Sequence, residues 1–507
     1  MTTYTTTHST PHAAATDDIA PAPPPRRTGR WIEEWHPEDP DFWEGGGRQV
    51  ARRNLIWSIF AEHLGFSVWL IWSVSSAFLL AQGFSFTPQQ LFLLVAVPNL
   101  VGSLLRLPYT FAVPKFGGRN WTVVSALLLL VPTLLFATFV QRPETPYWVF
   151  VLIAATAGFG GGNFASSMAN INFFYPAAKK GAALGLNAAG GNLGVALIQL
   201  LLPVLVGGAG IFGLVQASES GIALQRAAWV YAGLALLAAA GAYLFMDNLS
   251  SAVSSPREQL KVLAHRQTWV MSFLYIGTFG SFIGYSAAMP LLIKLNFWVP
   301  EPAPLGTGVY FAYYAFLGAA VGSVTRPFGG WLADRWGGAR VTLAAFFGLA
   351  AFTLAVLWTL SQLTPNPTAD PGIATDNQSW FGWFLGFFLC IFGCAGIGNG
   401  STYKMIPAIF RHEAERATTP GTTARTAAVQ AATRQASAAI GVIGAVGAIG
   451  GFVIPLAFSA PWVGDPMAAT RGAFTVFTGF YLVCAGVTWV VYLRRRATAT
   501  SLASASI

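Results

Sequence analysis

Two arginines lie where that residue is costly, in the middle of long apolar stretches of the chain. Arg106 falls within residues 91–113. Arg326 falls within residues 309–331. An arginine at the centre of a membrane helix costs about 2.5–3.5 kcal/mol on insertion scales, and neither stretch contains an acid. Guanidinium groups offer planar, paired N–H donors that match an oxyanion, so we expect both arginines to bind a small anion.

A second pair of ionisable residues, Glu62 and His63, lies within the first apolar stretch. An ionisable residue inside a membrane span is a functional hypothesis by default, and a perturbed group at that depth can relay a proton. The alternative is that Glu62 lies near the cytoplasmic end of its helix and pairs with a basic loop. The sequence favours neither alternative over the other.

The composition indicates that membrane-spanning helices hold these residues in place. Of 507 residues, 54% are hydrophobic and only 10% are charged, whereas a soluble domain carries about 25% charged residues. Apolar stretches of about 20 residues recur, each long enough to cross a hydrocarbon core as a helix. We predict an all-α integral membrane protein with twelve transmembrane helices, over residues 54–81, 89–113, 120–140, 147–174, 181–206, 227–246, 268–292, 309–332, 341–361, 380–409, 436–457 and 473–493.

Positive charge is distributed unevenly between the loops. Alternate loops are basic, while the loop at 82–90 has no charge and that at 364–379 has only Asp370 and Asp376. Since positive loops stay in the cytoplasm, we expect a multi-pass protein of the plasma membrane with both termini cytoplasmic. The same asymmetry, with contact to anionic lipid, accounts for the net charge of +9 without nucleic acid.

The remaining segments carry little chemistry. We expect residues 1–30 to be a disordered tail, and residues 31–43, rich in Trp and acids, to lie either at the headgroup level or packed under the helices. The connection from His412 to Arg434 is predicted to be long and rich in Thr and Ala. The six histidines and three cysteines form no catalytic or metal cluster, so we expect neither enzyme activity nor a metal or cofactor.

An internal repeat divides the spans into two sets of six. An offset of 220 residues aligns Arg106 with Arg326, Gly117-Gly118 with Gly337-Gly338, and Thr122 with Thr342. Two pseudo-symmetric six-helix bundles with a central site resemble the major facilitator fold. The expected divisions are a cytoplasmic N-terminal tail (1–47), an N-terminal bundle (48–247), a cytoplasmic linker (248–267), a C-terminal bundle (268–494) and a cytoplasmic C-terminal tail (495–507).

Three sequence motifs carry a closer resemblance. Residues 330–338 read GWLADRWGG, which resembles the loop motif of the major facilitator superfamily. Residues 160–192 read GGGNFASSMANINFFYPAAKKGAALGLNAAGGN, and residues 393–407 read GCAGIGNGSTYKMIP. Together with an arginine on spans 2 and 8, these two glycine-rich segments resemble the nitrate signatures of the nitrate/nitrite porter family.

The resemblance implies a function and a set of site residues. Arg106 and Arg326 would clamp nitrate or nitrite, Phe164 and Phe279 would sandwich the flat ion, and Tyr275 and Asn192 would donate hydrogen bonds. Phe279 lies one helical turn beyond Tyr275, so both side chains can face the same cavity. Glycines within the two segments are expected to act as hinges and packing points rather than ligands.

The mode of transport follows from charge. Two guanidinium groups in an empty site repel each other, and a bound anion offsets that repulsion, which favours exchange of nitrate for nitrite without protons. Proton-coupled nitrate symport through Glu62 and His63, and transport of another small anion, remain alternatives. An anion channel is a further alternative, because arginines can line a pore. We expect the bilayer and these anions to be the partners of a monomer.

Overall fold

The computed structural model describes residues 27–207, 221–252, 261–299, 306–365, 370–460 and 465–494. Twelve long helices run through this part of the chain, as predicted. Their bounds are α1 Pro40–Gln82, α2 Pro88–Phe116, α3 Gly118–Phe139, α4 Tyr147–Phe174, α5 Ala177–Leu205, α6 Gln225–Phe245, α7 Arg266–Phe297, α8 Ala315–Trp336, α9 Gly338–Ser361, α10 Pro371–Arg416, α11 Thr423–Ser459 and α12 Pro466–Leu493.

Eleven of these helices are long and apolar enough to cross a membrane by length and composition. The exception is α8, which contains Arg326 and four glycines. These residues lower the hydropathy of the helix, although at 22 residues it is long enough to span a bilayer. The helix that falls short of the hydropathy of a membrane span is therefore one of those that carry a predicted ligand.

The helices form an inner and an outer set. Contacts between the two halves join α1 to α7, α2 to α11, and α5 to α8. The outer helices α3, α6, α9 and α12 expose large apolar side chains, such as Leu127, Leu236, Phe347 and Val476. So much exposed apolar surface needs lipid as its solvent, so these four helices form the lipid-facing rim.

The sequence repeat is also a repeat of backbone conformation. Helix α2 ends at Gly117, which has φ 85°, and α8 ends at Gly337, which has φ 87°. Residues with a side chain rarely adopt a positive φ, so glycine stops both helices in the same way. The next helix begins at Gly118 in the first half and at Gly338 in the second. The 220-residue offset therefore relates two helix–helix turns of similar conformation.

The N-terminal segment packs under the first half, on the face where α1 begins. Strand β1 (Arg27–Thr28) pairs antiparallel with β2 (Trp31–Ile32), and β2 pairs in parallel with β3 (Asn248–Leu249). Buried Asp247 accepts a 2.5 Å bond from Arg53 and a 3.3 Å bond from Asn54. Of the two positions predicted for residues 31–43, the structure has the packed one, since Ile32, Trp35 and Trp43 are buried.

The predicted long connection between spans 10 and 11 is wrong. Helix α10 continues to Arg416 and α11 begins at Thr423, whose N-cap Thr422 accepts a hydrogen bond from the amide of Arg425. Alanine, glutamate and arginine favour helix even where the chain leaves the apolar layer. Only residues 417–422 connect the two helices.

Short elements complete the described chain. They are β4 (Trp298–Val299), which pairs antiparallel with β5 (Thr307–Gly308), and the 3-10 turns Ser250–Ala252, Lys261–Ala264 and Phe311–Tyr313. The predicted C-terminal tail, residues 1–26 of the predicted N-terminal tail and residues 253–260 of the predicted linker lie outside the described residues.

Candidate functional site

Glycines on α4 bring that helix into backbone contact with α1 and α2. A Cβ atom at Gly161 would lie 2.7 Å from the Cα of Gly102 and 2.7 Å from Cε2 of Trp69. No side chain fits at these distances, so glycine is required for this packing. The close approach places Phe164, about one turn further along α4, beside Arg106 of α2.

Arg106 is completely buried and is held from both halves of the protein. Its Nε donates a 3.1 Å hydrogen bond to the carbonyl of Gly161, on α4. Its Nη1 donates a 2.8 Å bond to the carbonyl of Gly444, on α11. The third nitrogen, Nη2, is buried and has no hydrogen-bond partner among the residues described. That nitrogen is available to a ligand.

Aromatic rings surround this guanidinium group. The guanidinium carbon of Arg106 lies 4.8 Å from the centroid of the Phe164 ring and 4.9 Å from that of Phe279. The two rings are 6.3 Å apart and 24° from parallel. These three distances place the guanidinium carbon about 3.7 Å to one side of the midpoint between the rings, close to the distance at which a guanidinium pairs with an oxyanion.

An irregular turn in α7 presents Tyr275 and Phe279 together. The helix is wound as a π-turn over Ile276–Gly280, a feature that often marks functional sites. The two rings stack with centroids 5.3 Å apart and 19° from parallel, so they share one face as the sequence predicted. The Tyr275 hydroxyl is buried, and it neither donates nor accepts a hydrogen bond within the described chain.

Arg326 approaches the same place from α8, with 6% of its surface exposed. Its guanidinium carbon lies 5.9 Å from the Phe164 centroid and 5.5 Å from that of Tyr403. Since Arg106 lies 4.8 Å from the same Phe164 ring, the two guanidinium carbons are at most about 10.7 Å apart. At an effective dielectric constant of about 20, such a pair repels by at least about 1.5 kcal/mol. The Nη1 of Arg326 is buried without a partner in the described structure.

Glu62 lies next to this cluster. It is completely buried, and its Oε2 accepts hydrogen bonds of 2.5 Å from Ser167 and 2.6 Å from Asn187. Its carboxylate also interacts electrostatically with both Arg326 and Arg106. The pairing of Glu62 with a basic loop, left open by the sequence, is therefore not what the structure shows.

His63 turns away from Glu62. Its Nδ1 lies 3.0 Å from the carbonyl oxygen of Gly190 on α5, and the ring is partly exposed. The neighbouring Asn192 is completely buried, and neither atom of its amide has a hydrogen-bond partner among the described residues. Among the predicted site residues, His63 is thus the one whose side chain points away from the arginines. The side-chain amide of Asn192 has both its donor and its acceptor available to a ligand.

Two residues of the second glycine-rich segment were not predicted as part of the site. The Tyr403 ring packs on Arg326, and its hydroxyl is buried and unpaired within the described chain. Asn399 is buried with both amide atoms unpaired in the same sense. Residues 160–163 read GGGN and residues 396–399 read GIGN, which pairs Asn163 with Asn399, so the sequence contained a signal for Asn399. Nothing comparable pointed to Tyr403.

The site is closed on the face opposite the start of α1. There the Nζ of Lys294 on α7 donates a 2.5 Å bond to the carbonyl of Ala77 on α1. Gln199 on α5 donates a 2.6 Å bond to the carbonyl of Ser286 on α7. Both bonds join the two halves, so the structure holds them together on this side of the site.

Comparison with known proteins identifies the family of this chain. The family model described as Major Facilitator Superfamily matches residues 63–455. The Nitrate/nitrite transporter NarU of Escherichia coli (strain K12) is 42% identical over 92% of this chain and 96% of its own length. The Probable nitrate/nitrite antiporter NarK2 of Thermus thermophilus is 38% identical over 75% of this chain and 83% of its own length.

A solved structure shares the fold at much lower identity. The crystal structure of a D-xylose-proton symporter aligns with a TM-score of 0.57 and 12% identity, over 87% of this chain and 97% of that one. At this identity the likeness concerns the fold alone. The family model and the close relatives together establish that the chain belongs to the nitrate/nitrite porter family of the Major Facilitator Superfamily.

Proposed function

We propose that this protein carries nitrate and nitrite across a membrane by alternating access, with the anion bound between Arg106 and Arg326. The observation that carries this proposal is the pair of buried guanidinium groups on equivalent helices of the two halves, each with a nitrogen unpaired in the described structure. Buried donors without partners cost free energy that a ligand recovers. The names of the two relatives support the choice of anion.

The spacing of the aromatic rings favours a flat ion. A planar ion between two rings needs about 7 Å between them, because each contact requires about 3.5 Å. The centroids of the Phe164 and Phe279 rings are 6.3 Å apart. The rings therefore need to move apart by less than about 1 Å to admit nitrate or nitrite, whereas a tetrahedral anion requires a larger movement. Tyr275 and Asn192 are the proposed hydrogen-bond donors, since both are buried and unpaired among the described residues.

Exchange of nitrate for nitrite is the proposed mode of transport. The two guanidinium groups repel each other by at least about 1.5 kcal/mol, and a bound monoanion between them offsets that repulsion. Neutralisation of this charge would favour the rocking of the two halves past each other. Proton-coupled uptake is a second candidate, because the carboxylate of Glu62 interacts with both arginines.

The remaining expectations from the sequence belong to the same proposal. The protein is a monomer of the plasma membrane, is not an enzyme, and has both termini in the cytoplasm. Its units are the tail 1–47, the bundle 48–247, the linker 248–267, the bundle 268–494 and the tail 495–507. Helix packing supports the bundle boundaries, since the inner helices of each half pack mainly on helices of the same half.

Uptake of labelled nitrate into proteoliposomes tests the function. Vesicles preloaded with nitrite are expected to take up nitrate faster than empty vesicles, and Arg326→Ala is expected to abolish this. Arg340→Ala is the matched control, because that arginine is exposed at the start of α9. Absence of nitrate uptake under every condition would refute the choice of anion. Uptake of a small carboxylate that nitrate fails to compete would favour another substrate.

A further inference from the structure

A narrow groove of about 150 Å³ lies between α2 of the first half and α11 of the second. Leu107 and Phe111 line it from α2, and Ala438, Val442 and Val446 line it from α11. These residues recur at intervals of four along each helix, so each helix presents one apolar face to the groove. The groove therefore follows the seam along which the two halves meet.

The two polar side chains that line the groove already have hydrogen-bond partners. The hydroxyl of Thr110 donates a 2.8 Å bond to the carbonyl of Arg106, and the indole N–H of Trp269 donates a 2.7 Å bond to the carbonyl of Leu263. Apolar cavities of this size stay dry and hold apolar molecules as large as benzene, with its six carbon atoms. The groove therefore suits a stretch of hydrocarbon chain rather than water or an ion.

The groove opens to the outside of the protein, where lipid is the solvent. Leu107, Leu263 and Trp269 line it and are all exposed, with Trp269 retaining 52% of its accessible surface. Tryptophan is enriched where the hydrocarbon of a bilayer meets its headgroups. A lipid chain can therefore enter the groove sideways from the bilayer, without passing through the protein.

The depth of the groove follows from the hydrogen bond between Arg106 and the carbonyl of Gly444, which places these two residues at one level. Lys115 lies nine residues beyond Arg106 on α2, and Arg434 lies ten residues before Gly444 on the antiparallel α11. At a rise of 1.5 Å per residue both cations are about 14–15 Å from that level, towards the face where α1 begins. Half of a hydrocarbon core is also about 15 Å, so both cations lie at headgroup level when the arginine site is at the bilayer centre.

The end of the groove at this level is basic. Lys115 and Arg434 are exposed, and each lies one turn beyond the last groove residue of its helix, on the same helix face. Two further exposed cations, Lys261 and Arg266, belong to the segment that leads to the groove residue Trp269. Basic residues close to a membrane surface attract lipids whose headgroups are anionic. An apolar groove that ends in cations therefore complements the two parts of an anionic phospholipid.

We propose that this groove binds an acyl chain of a phospholipid with a net negative headgroup, and that Lys115 and Arg434 hold the headgroup. The lipid comes from the leaflet on the side where α1 begins, which is the cytoplasmic leaflet in the topology proposed above. The inference is independent of which anion the protein carries, because no residue of the groove belongs to the proposed anion site.

The position of the groove couples its occupant to the seam between the halves. A Cβ atom at Gly441 of α11 would lie 3.0 Å from the hydroxyl oxygen of Thr110 on α2, so the two helices are in close contact beside the groove. Arg106 and Gly444 are bonded about one turn away. A chain that touches both helices binds with an affinity that depends on how the halves are arranged, so bound lipid shifts the balance between those arrangements.

Photolabelling of the purified full-length protein tests the proposal. The probe is phosphatidylglycerol with a diazirine in one acyl chain, present in trace amount in micelles, and the labelled peptides are identified by mass spectrometry. Residues 107–111 and 438–446 are expected to be labelled more strongly than the lipid-facing helices α3, α6, α9 and α12. Unlabelled phosphatidylglycerol is expected to compete at a concentration roughly 25-fold lower than phosphatidylcholine, since each of two cations near a membrane surface contributes a factor of about 5.

Matched variants separate the headgroup from the chain. Lys115→Gln and Arg434→Gln are each expected to lower the preference for phosphatidylglycerol about 5-fold. Arg340→Gln is the control, because that arginine is exposed at the start of α9, on the same face of the membrane. Val442→Trp fills the groove and is expected to abolish labelling there. Val476→Trp, on the exposed surface of α12, is expected to leave that labelling unchanged.

Several results would overturn the proposal. Equal labelling of the groove and the four outer helices would show that lipid only coats the protein there. Equal competition by phosphatidylcholine, or a preference that Lys115→Gln and Arg434→Gln leave unchanged, would show that the cations do not hold the headgroup. Groove labelling retained by a folded Val442→Trp would place the chain elsewhere. Should this variant fail to fold, the competition measurements on the two charge variants decide the question. None of these measurements requires nitrate, so a failure of the proposed transport would leave them unaffected.

Discussion

Replacement of Arg326 by lysine tests whether its planar donors contact the anion. Lysine keeps the positive charge and loses the pair of parallel N–H groups. In the described structure Arg326 contacts the rings of Phe164 and Tyr403 and interacts electrostatically with Glu62, and its Nη1 is buried and unpaired. The lysine variant therefore loses the proposed hydrogen bond to the anion, and no other hydrogen bond of this side chain within the described structure is lost. A hydrogen bond to a charged group contributes about 1.5–3 kcal/mol.

That free energy corresponds to a dissociation constant for nitrate roughly 10- to 100-fold higher, since each 1.4 kcal/mol is a factor of about ten. Calorimetry on the purified protein measures it directly, and initial rates of exchange in proteoliposomes provide a second measurement. Arg340→Lys, on the exposed start of α9, is the control and should bind nitrate like the wild type. A dissociation constant for Arg326→Lys indistinguishable from that of the control would refute direct paired contact with the anion.

Three further substitutions test other parts of the site. Arg106→Lys should weaken nitrate binding and also lower stability by about 1.5–3 kcal/mol, because a lysine can keep at most one of the two hydrogen bonds to backbone carbonyls; an unchanged thermal midpoint would contradict this. Tyr403→Phe should raise the thermal midpoint of the anion-free protein, by removing a buried unpaired hydroxyl, and should weaken nitrate binding in calorimetry; unaltered affinity would assign Tyr403 to packing alone. Gly160→Ala should destabilise by about 1–3 kcal/mol, because its Cβ would collide with the carbonyl oxygen of Gly65 on α1. Gly185→Ala, whose Cβ meets open space, is the control in a thermal unfolding assay, and equal effects of the two would contradict the packing argument.

Much of the fold could be predicted from the sequence because the bilayer restricts the choices. Backbone groups in hydrocarbon must be satisfied within the segment, so an apolar stretch of about 20 residues is a helix. The same reasoning failed at the ends of α10 and α11. Hydropathy marks where a helix leaves the apolar layer, whereas the helix itself continues as long as its residues favour that conformation, here to Arg416 and from Thr423.

The candidate site could be predicted only in part. Arg106 and Arg326 were evident because each is isolated within an apolar stretch, and the structure places both against Phe164. The interaction of Glu62 with these arginines could not be read from the chain, because it depends on how far α1 is shifted along its axis relative to α2 and α8. Contacts between helices follow from packing depth, and no sequence spacing within a single helix records that depth.

The two arginines are equivalent in the repeat but differ in how they are held, and this difference bears on the transport cycle. Arg106 is bonded to Gly161 in its own half and to Gly444 in the other. The second bond exists only while α2 and α11 remain together at the depth of the site, so any opening between these helices must break it. Breaking it frees a nitrogen of Arg106 for the anion or for water, at a cost of about 1.5–3 kcal/mol because the donor is charged. An anion that takes over this donor compensates for the lost bond, and the rearrangement of the halves is thereby linked to occupancy of the site.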